Sequence, residues 1–69
     1  MTTDDLLKRF TYHPPKPGQP ALYTKIRDLA HGFAIEIDES QPDSREKSLA
    51  ITALEECIMW ANAGIARNG

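Results

Sequence analysis

The sequence predicts an all-α fold: a short N-terminal helix, an aromatic and proline-containing loop, then two long antiparallel helices forming a hairpin that oligomerises. Three observations predict it. Apolar residues recur at helical spacing through both longer segments. Pro42 separates those segments within a short polar link. The last segment is apolar around more of its circumference than one partner helix can cover.

The chain reads as one domain over residues 1–69, with a short helix and loop over 1–19 and long helices over 20–40 and 43–68. The short helix spans Thr3 to Arg9, with Thr3 as its cap and Asp4 and Asp5 in its first turn. Pro14, Pro15, Pro17 and Gly18 bar helix from the stretch that follows, which carries Phe10, Tyr12 and His13. Two aromatics beside so many prolines imply a loop of fixed shape. Pro20 suits the first turn of the next helix. Within it Ile26, Leu29, Ala30, Phe33 and Ile37 form one apolar stripe, with Arg27 and His31 on a flank, one turn apart.

Pro42 ends that helix, and Asp43 followed by Glu46 reads as a capping box that starts the last one. Asn68-Gly69 supplies its stop. On this helix Ile51, Leu54, Ile58 and Ile65 form one seam, and Leu49, Ala53, Cys57 and Trp60 form a second. Small residues Ala50, Ala61 and Gly64 lie between them. One seam serves the hairpin; the other predicts an interface between copies.

Composition excludes several functions. A 69-residue chain buries little surface alone, and its single cysteine, Cys57, rules out an internal disulfide. His13, His31 and Cys57 fit no zinc spacing, so no metal or cofactor is expected. The net charge of −2 argues against a long nucleic acid as partner. The charge is uneven, however: Lys8, Arg9, Lys16, Lys25 and Arg27 crowd the first part, and Glu36, Asp38, Glu39, Asp43 and Glu46 the middle. A small anion fits this pattern better than a polymer. The acidic start lacks a signal-peptide pattern, and no uninterrupted apolar run suggests a membrane span. Ser40, Ser44 and Ser48 have no base nearby in sequence, and Glu55 and Glu56 are adjacent and diverge on a helix, so no enzyme is expected.

Several segments carry a resemblance. They are Phe10-Thr11-Tyr12-His13-Pro14-Pro15, Gln19-Pro20, Tyr23 with Ile26-Arg27, Pro42 to Ala50, Met59 to Ala63, and Ile65 to Asn68. Together they resemble the phage anti-CBASS cyclic-nucleotide sponges, whose hairpin domain is shared with an anti-Thoeris sponge family. The resemblance implies a hexamer of helical hairpins in the host bacterial cytoplasm. It binds cyclic dinucleotides such as 3′,3′-cyclic GMP-AMP between protomers, and in some members cyclic trinucleotides as well, and sequesters them uncleaved.

It also implies roles. Tyr12 stacks on a base, Arg27 meets the phosphates where some relatives have lysine, and Arg67 contacts phosphate at a trinucleotide site. His13, Arg45 and Lys47 complete the candidate ligand-binding set. The chemistry fits a ligand with two bases and two phosphates. Stacking on an aromatic is worth roughly 1–3 kcal/mol per base, and arginine grips phosphate through a planar fork. On the residues alone Tyr12 also reads as a packing residue of its loop, Arg27 as a solvated flank, Arg67 as a cation at a helix C-terminus, and His13 as a hydrogen-bonded structural residue. Two other functions compete: a sponge for NAD-derived cyclic ADP-ribose signals, and a helical adaptor that binds a host protein.

Overall fold

The computed structural model describes all 69 residues and contains three α-helices and no strand: α1 (Thr3–Phe10), α2 (Gln19–Ser40) and α3 (Arg45–Asn68). The all-helical prediction holds. α2 and α3 pack along each other as a hairpin, and α1 lies by the far end of α3.

The ends of the helices follow from local chemistry, with two shifts from expectation. Thr2, not Thr3, caps α1: its hydroxyl accepts from the Asp5 N–H at 3.1 Å, and the Asp5 carboxylate accepts from the Thr2 N–H at 3.3 Å. Those bonds, ahead of the nearby Arg9 and Lys8, hold the Asp5 carboxyl below its ordinary value. Ser44, not Asp43, caps α3, its hydroxyl accepting from the Lys47 N–H at 3.1 Å. Asp43 is drawn away because its carboxylate meets the Lys47 ammonium at 2.9 Å. Gly18 precedes α2 with φ of 86°, a left-handed conformation that glycine adopts without a Cβ clash. Gly69 closes α3, its N–H donating to the Ile65 carbonyl at 2.9 Å.

The hairpin seam uses Tyr23, Ile26, Ala30, Ala34 and Ile37 of α2 against Ile51, Leu54, Ile58, Ala61 and Ile65 of α3, all half-buried. The α3 seam is the one read from the sequence. The α2 stripe is not: Leu29 and Phe33 sit outside it, exposed. They lie on the same broad arc of α2, but α3 covers only its other edge, where Ala30 and Ala34 let the helices approach.

No apolar side chain in the chain is buried. The molecule is a plate of 46 × 29 × 12 Å, its thinnest dimension about the breadth of one helix with its side chains. Its radius of gyration is 15.3 Å, against about 11 Å for a compact domain of this length. Domains normally bury their apolar faces between two layers; this chain supplies one. The second α3 seam is accordingly open, with Leu49, Cys57 and Trp60 exposed. α3 is also long and apolar enough, by length and composition alone, to cross a membrane, with a mean hydropathy of 1.2 over its best window. Glu55 and Glu56 divide this helix, so it carries no uninterrupted apolar run in the sequence.

Candidate functional site

The loop between α1 and α2 is anchored at both sides of Tyr12. The His13 Nε2–H donates to the Lys8 carbonyl at 2.8 Å, satisfying a carbonyl at the end of α1. Further along, the Lys16 N–H donates to Gln19 Oε1 at 2.9 Å, and the Lys16 ammonium to the Gly69 carbonyl at 2.7 Å. The Lys8 ammonium reaches the Asn68 side chain. The arm is thus tied to the C-terminal end of α3, while Tyr12 itself is 80 % exposed.

Arg27 and His31 line a groove of about 370 Å³ between α2 and α3, floored by Ala30, Ala34, Leu54 and Ile58. Glu55 and Met59 face them from α3. The floor offers apolar area to a flat base, and Arg27 offers a guanidinium. Arg67 lines a different cavity of about 300 Å³, together with Arg9, Phe10 and Trp60. A broader depression of about 710 Å³ on α2, from Pro20 to Leu29, includes none of the candidate ligand-binding residues.

The only ion pairs in the chain are those of Lys47, to Asp38 at 2.7 Å and Asp43 at 2.9 Å. Arg9, Arg27, Arg45 and Arg67 therefore have no carboxylate within ion-pair distance, and their charges are open to an outside anion. Lys47 is the opposite case. Its ammonium has three donors, and they meet Asp38, Asp43 and the Gln41 carbonyl. The hydrogen bonds it donates to Asp38 and then Asp43 hold the Lys47 amine above its ordinary value, and the bond to Asp43 holds that carboxyl below its own. Lys47 clasps the hairpin turn and has no free donor to offer. His13, likewise, is committed to the end of α1 through Nε2.

One chain does not gather the sequence candidates in one place. Arg27 and His31 share a groove; Arg67 lies in another cavity; Tyr12 lines neither; Arg45 is exposed at the start of α3. The association of Arg9, Phe10 and Trp60 with Arg67, and of Glu55 and Met59 with Arg27, emerges only in the fold. The i, i+7 spacing of Trp60 and Arg67 on α3 was a usable signal; the crossing of α1 over that face was not visible. Nor are there three metal-ligating side chains in reach of one another.

A one-layer helical hairpin with unpaired guanidiniums beside apolar and aromatic surface defines a small binding protein suited to an anionic ligand. The Acb2/Tad1 hairpin-domain model matches residues 3–66, nearly the whole chain. The chain belongs to that family, whose members are phage anti-defence sponges. No curated protein and no solved structure matches it.

Proposed function

We propose that this protein sequesters cyclic oligonucleotide signals of bacterial immunity, cyclic dinucleotides such as 3′,3′-cyclic GMP-AMP first among them, and releases them unchanged. The observation that carries the reading is Tyr12. Tyr12 stands 80 % exposed in the span of loop that the His13–Lys8 bond closes, uncovered by its own chain and available to a base. A rigid, displayed aromatic loses little freedom when a base stacks on it. Arg27, unpaired above an apolar groove, supplies the phosphate contact. Arg67 with Arg9 supports a separate phosphate site for a cyclic trinucleotide.

Because Tyr12 does not line the groove that holds Arg27, we read the site as assembled from neighbouring copies. The surface area supports this. The chain exposes 5567 Å², where a compact monomer of its mass exposes about 4,300 Å². The excess of about 1,200 Å² exceeds one side of a standard interface, about 800 Å². A two-fold interface would present a matching Tyr12 and Arg27 to each half of a dinucleotide, and the hexamer is the assembly the family resemblance implies. The protein acts in the cytoplasm of the infected bacterium, where such signals are made.

The test is a thermal-shift and calorimetric titration with 3′,3′-cyclic GMP-AMP, a cyclic trinucleotide and a cyclic ADP-ribose isomer. The last belongs in the panel because the matched family joins two sponge groups. Wild-type protein should bind a cyclic dinucleotide, and Tyr12→Ala and Arg27→Ala should each lose that binding. Heating should release intact ligand. Hydrolysed product, or a saturable response to cyclic ADP-ribose alone, would overturn the reading.

A further inference from the structure

Gln19 is 6 % exposed, the most enclosed residue of a chain that buries no apolar side chain. Both ends of its amide are engaged. Oε1 accepts from the Lys16 N–H at 2.9 Å, and Nε2 donates to the Ile65 carbonyl on α3 at 3.0 Å. Gln19 is the first residue of α2, so one side chain joins the loop, the start of α2 and the last turns of α3. A buried amide is unfavourable unless its donor and acceptor are both met, which makes this junction specific in geometry. Gly69 packs against the same amide: a Cβ there would fall 2.9 Å from Gln19 Nε2.

Tyr12 directly precedes the His13 anchor on α1, and only Pro14 and Pro15 separate that anchor from Lys16 and this junction. Pro14 and Pro15 stiffen that short link, so fixing Lys16 fixes how the His13 anchor, and Tyr12 beside it, are set against α2 and α3. We propose that Gln19 is a positioning residue for ligand capture: it touches no ligand, and it sets the loop that carries Tyr12 relative to the α2–α3 seam. The inference rests on the ligand reading above.

The experiment compares wild-type protein with Gln19→Leu, which keeps volume and removes both bonds, using 3′,3′-cyclic GMP-AMP as probe. Affinity should fall at least about tenfold, and the loss should largely vanish in a Tyr12→Leu background, where the leucine keeps part of the apolar contact and with it a measurable residual affinity, since coupled sites are non-additive. A general loss of structure would instead add in full to the Tyr12→Leu loss. Gln19→Glu serves as the second variant, for the event that Gln19→Leu does not fold. It keeps the acceptor for Lys16 and loses the donor to Ile65 at neutral pH, so it should bind weakly and recover as acid restores a donating hydroxyl. Wild-type affinity in Gln19→Leu, fully additive losses, or no recovery of Gln19→Glu in acid would each overturn the positioning role while leaving the ligand reading intact. Failure of wild-type protein to bind the probe would overturn both.

Discussion

Trp60→Lys should dissociate the assembly we propose. Trp60 is 65 % exposed in the single chain, at the C-terminal end of the open α3 seam that Leu49 and Cys57 share. An aromatic of this size offers up to about 250 Å², so about 160 Å² remains to be covered. At about 25 cal/mol per Å² that is at most about 4 kcal/mol for each protomer. Replacing it with a charge removes that gain and adds the cost of desolvating an ammonium. Association should weaken by two to three orders of magnitude, at about 1.4 kcal/mol per tenfold. Light scattering coupled to size-exclusion chromatography reads the result directly, because the protomer mass is 7.7 kDa. Wild-type protein at tens of micromolar should run at a multiple of that mass, Trp60→Lys close to the protomer, and Glu39→Gln, at the polar hairpin turn, like wild type. Helicity is expected to fall with dissociation, since the lone chain buries no apolar side chain; mass is therefore the criterion. A wild-type mass of 7.7 kDa, or a Trp60→Lys protein that keeps the full assembly mass, would refute the argument from the open face.

Gly18→Ala should lower the melting temperature by several degrees, because an L-residue at φ of 86° costs about 1–2 kcal/mol. The added methyl meets no atom within 4 Å, so the effect is backbone strain alone, and Gly18→Asn should restore part of it; equal melting of Gly18→Ala and wild type would contradict this. Lys47→Met should destabilise the hairpin in a pH-dependent way. The Asp43 carboxyl is held below its ordinary 3.8, so its contribution is present above that value and lost as pH falls through its folded value. The Lys47 amine is held above its ordinary 10.5, so its contribution is present below that value and lost as pH rises through its folded value. The gap in melting temperature between wild type and Lys47→Met should thus be widest across the neutral range and narrow toward both extremes, and a constant gap would show that the clasp is not ionic.

The fold was legible where a residue imposes a constraint on its own backbone. Pro20, Pro42 and Gly69 act locally, and they mark helix ends within a residue or two of where α2 and α3 begin and end. The caps shifted where two residues compete for one role. Thr2 wins over Thr3 because only Thr2 has an acid, Asp5, three residues on; Ser44 replaces Asp43 because Lys47 recruits the carboxylate. Helical periodicity placed Leu29 and Phe33 on the correct arc of α2, but it cannot say which edge of a wide arc meets a neighbour. The candidate site was less legible for a related reason. Its charges were visible, but their partners are not local: Lys47 meets Asp38 across the turn, and Gln19 meets Ile65 from the opposite end of the chain. Lys47 therefore reads from the sequence as a free base, and Gln19 as part of the resembling Gln19-Pro20 pair with no role of its own.

The distribution of charge bears on why the ligand should be a small ring and not a strand. Lys8, Arg9, Lys16 and Arg67 collect around the C-terminal end of α3, where the helix dipole is negative and no carboxylate pairs with them. Asp38, Glu39, Asp43 and Glu46 collect at the hairpin turn, the other end of a molecule 46 Å long. Screening in physiological salt acts over about 8 Å, so the acidic turn hardly repels a small anion held near the basic end or beside Arg27. A strand following the long axis would have to pass the acidic end, where only Lys47, already neutralised by two carboxylates, and Arg45 stand against repulsion. Such a field would tolerate a small anion at the basic end and disfavour a long polyanion laid along the whole plate.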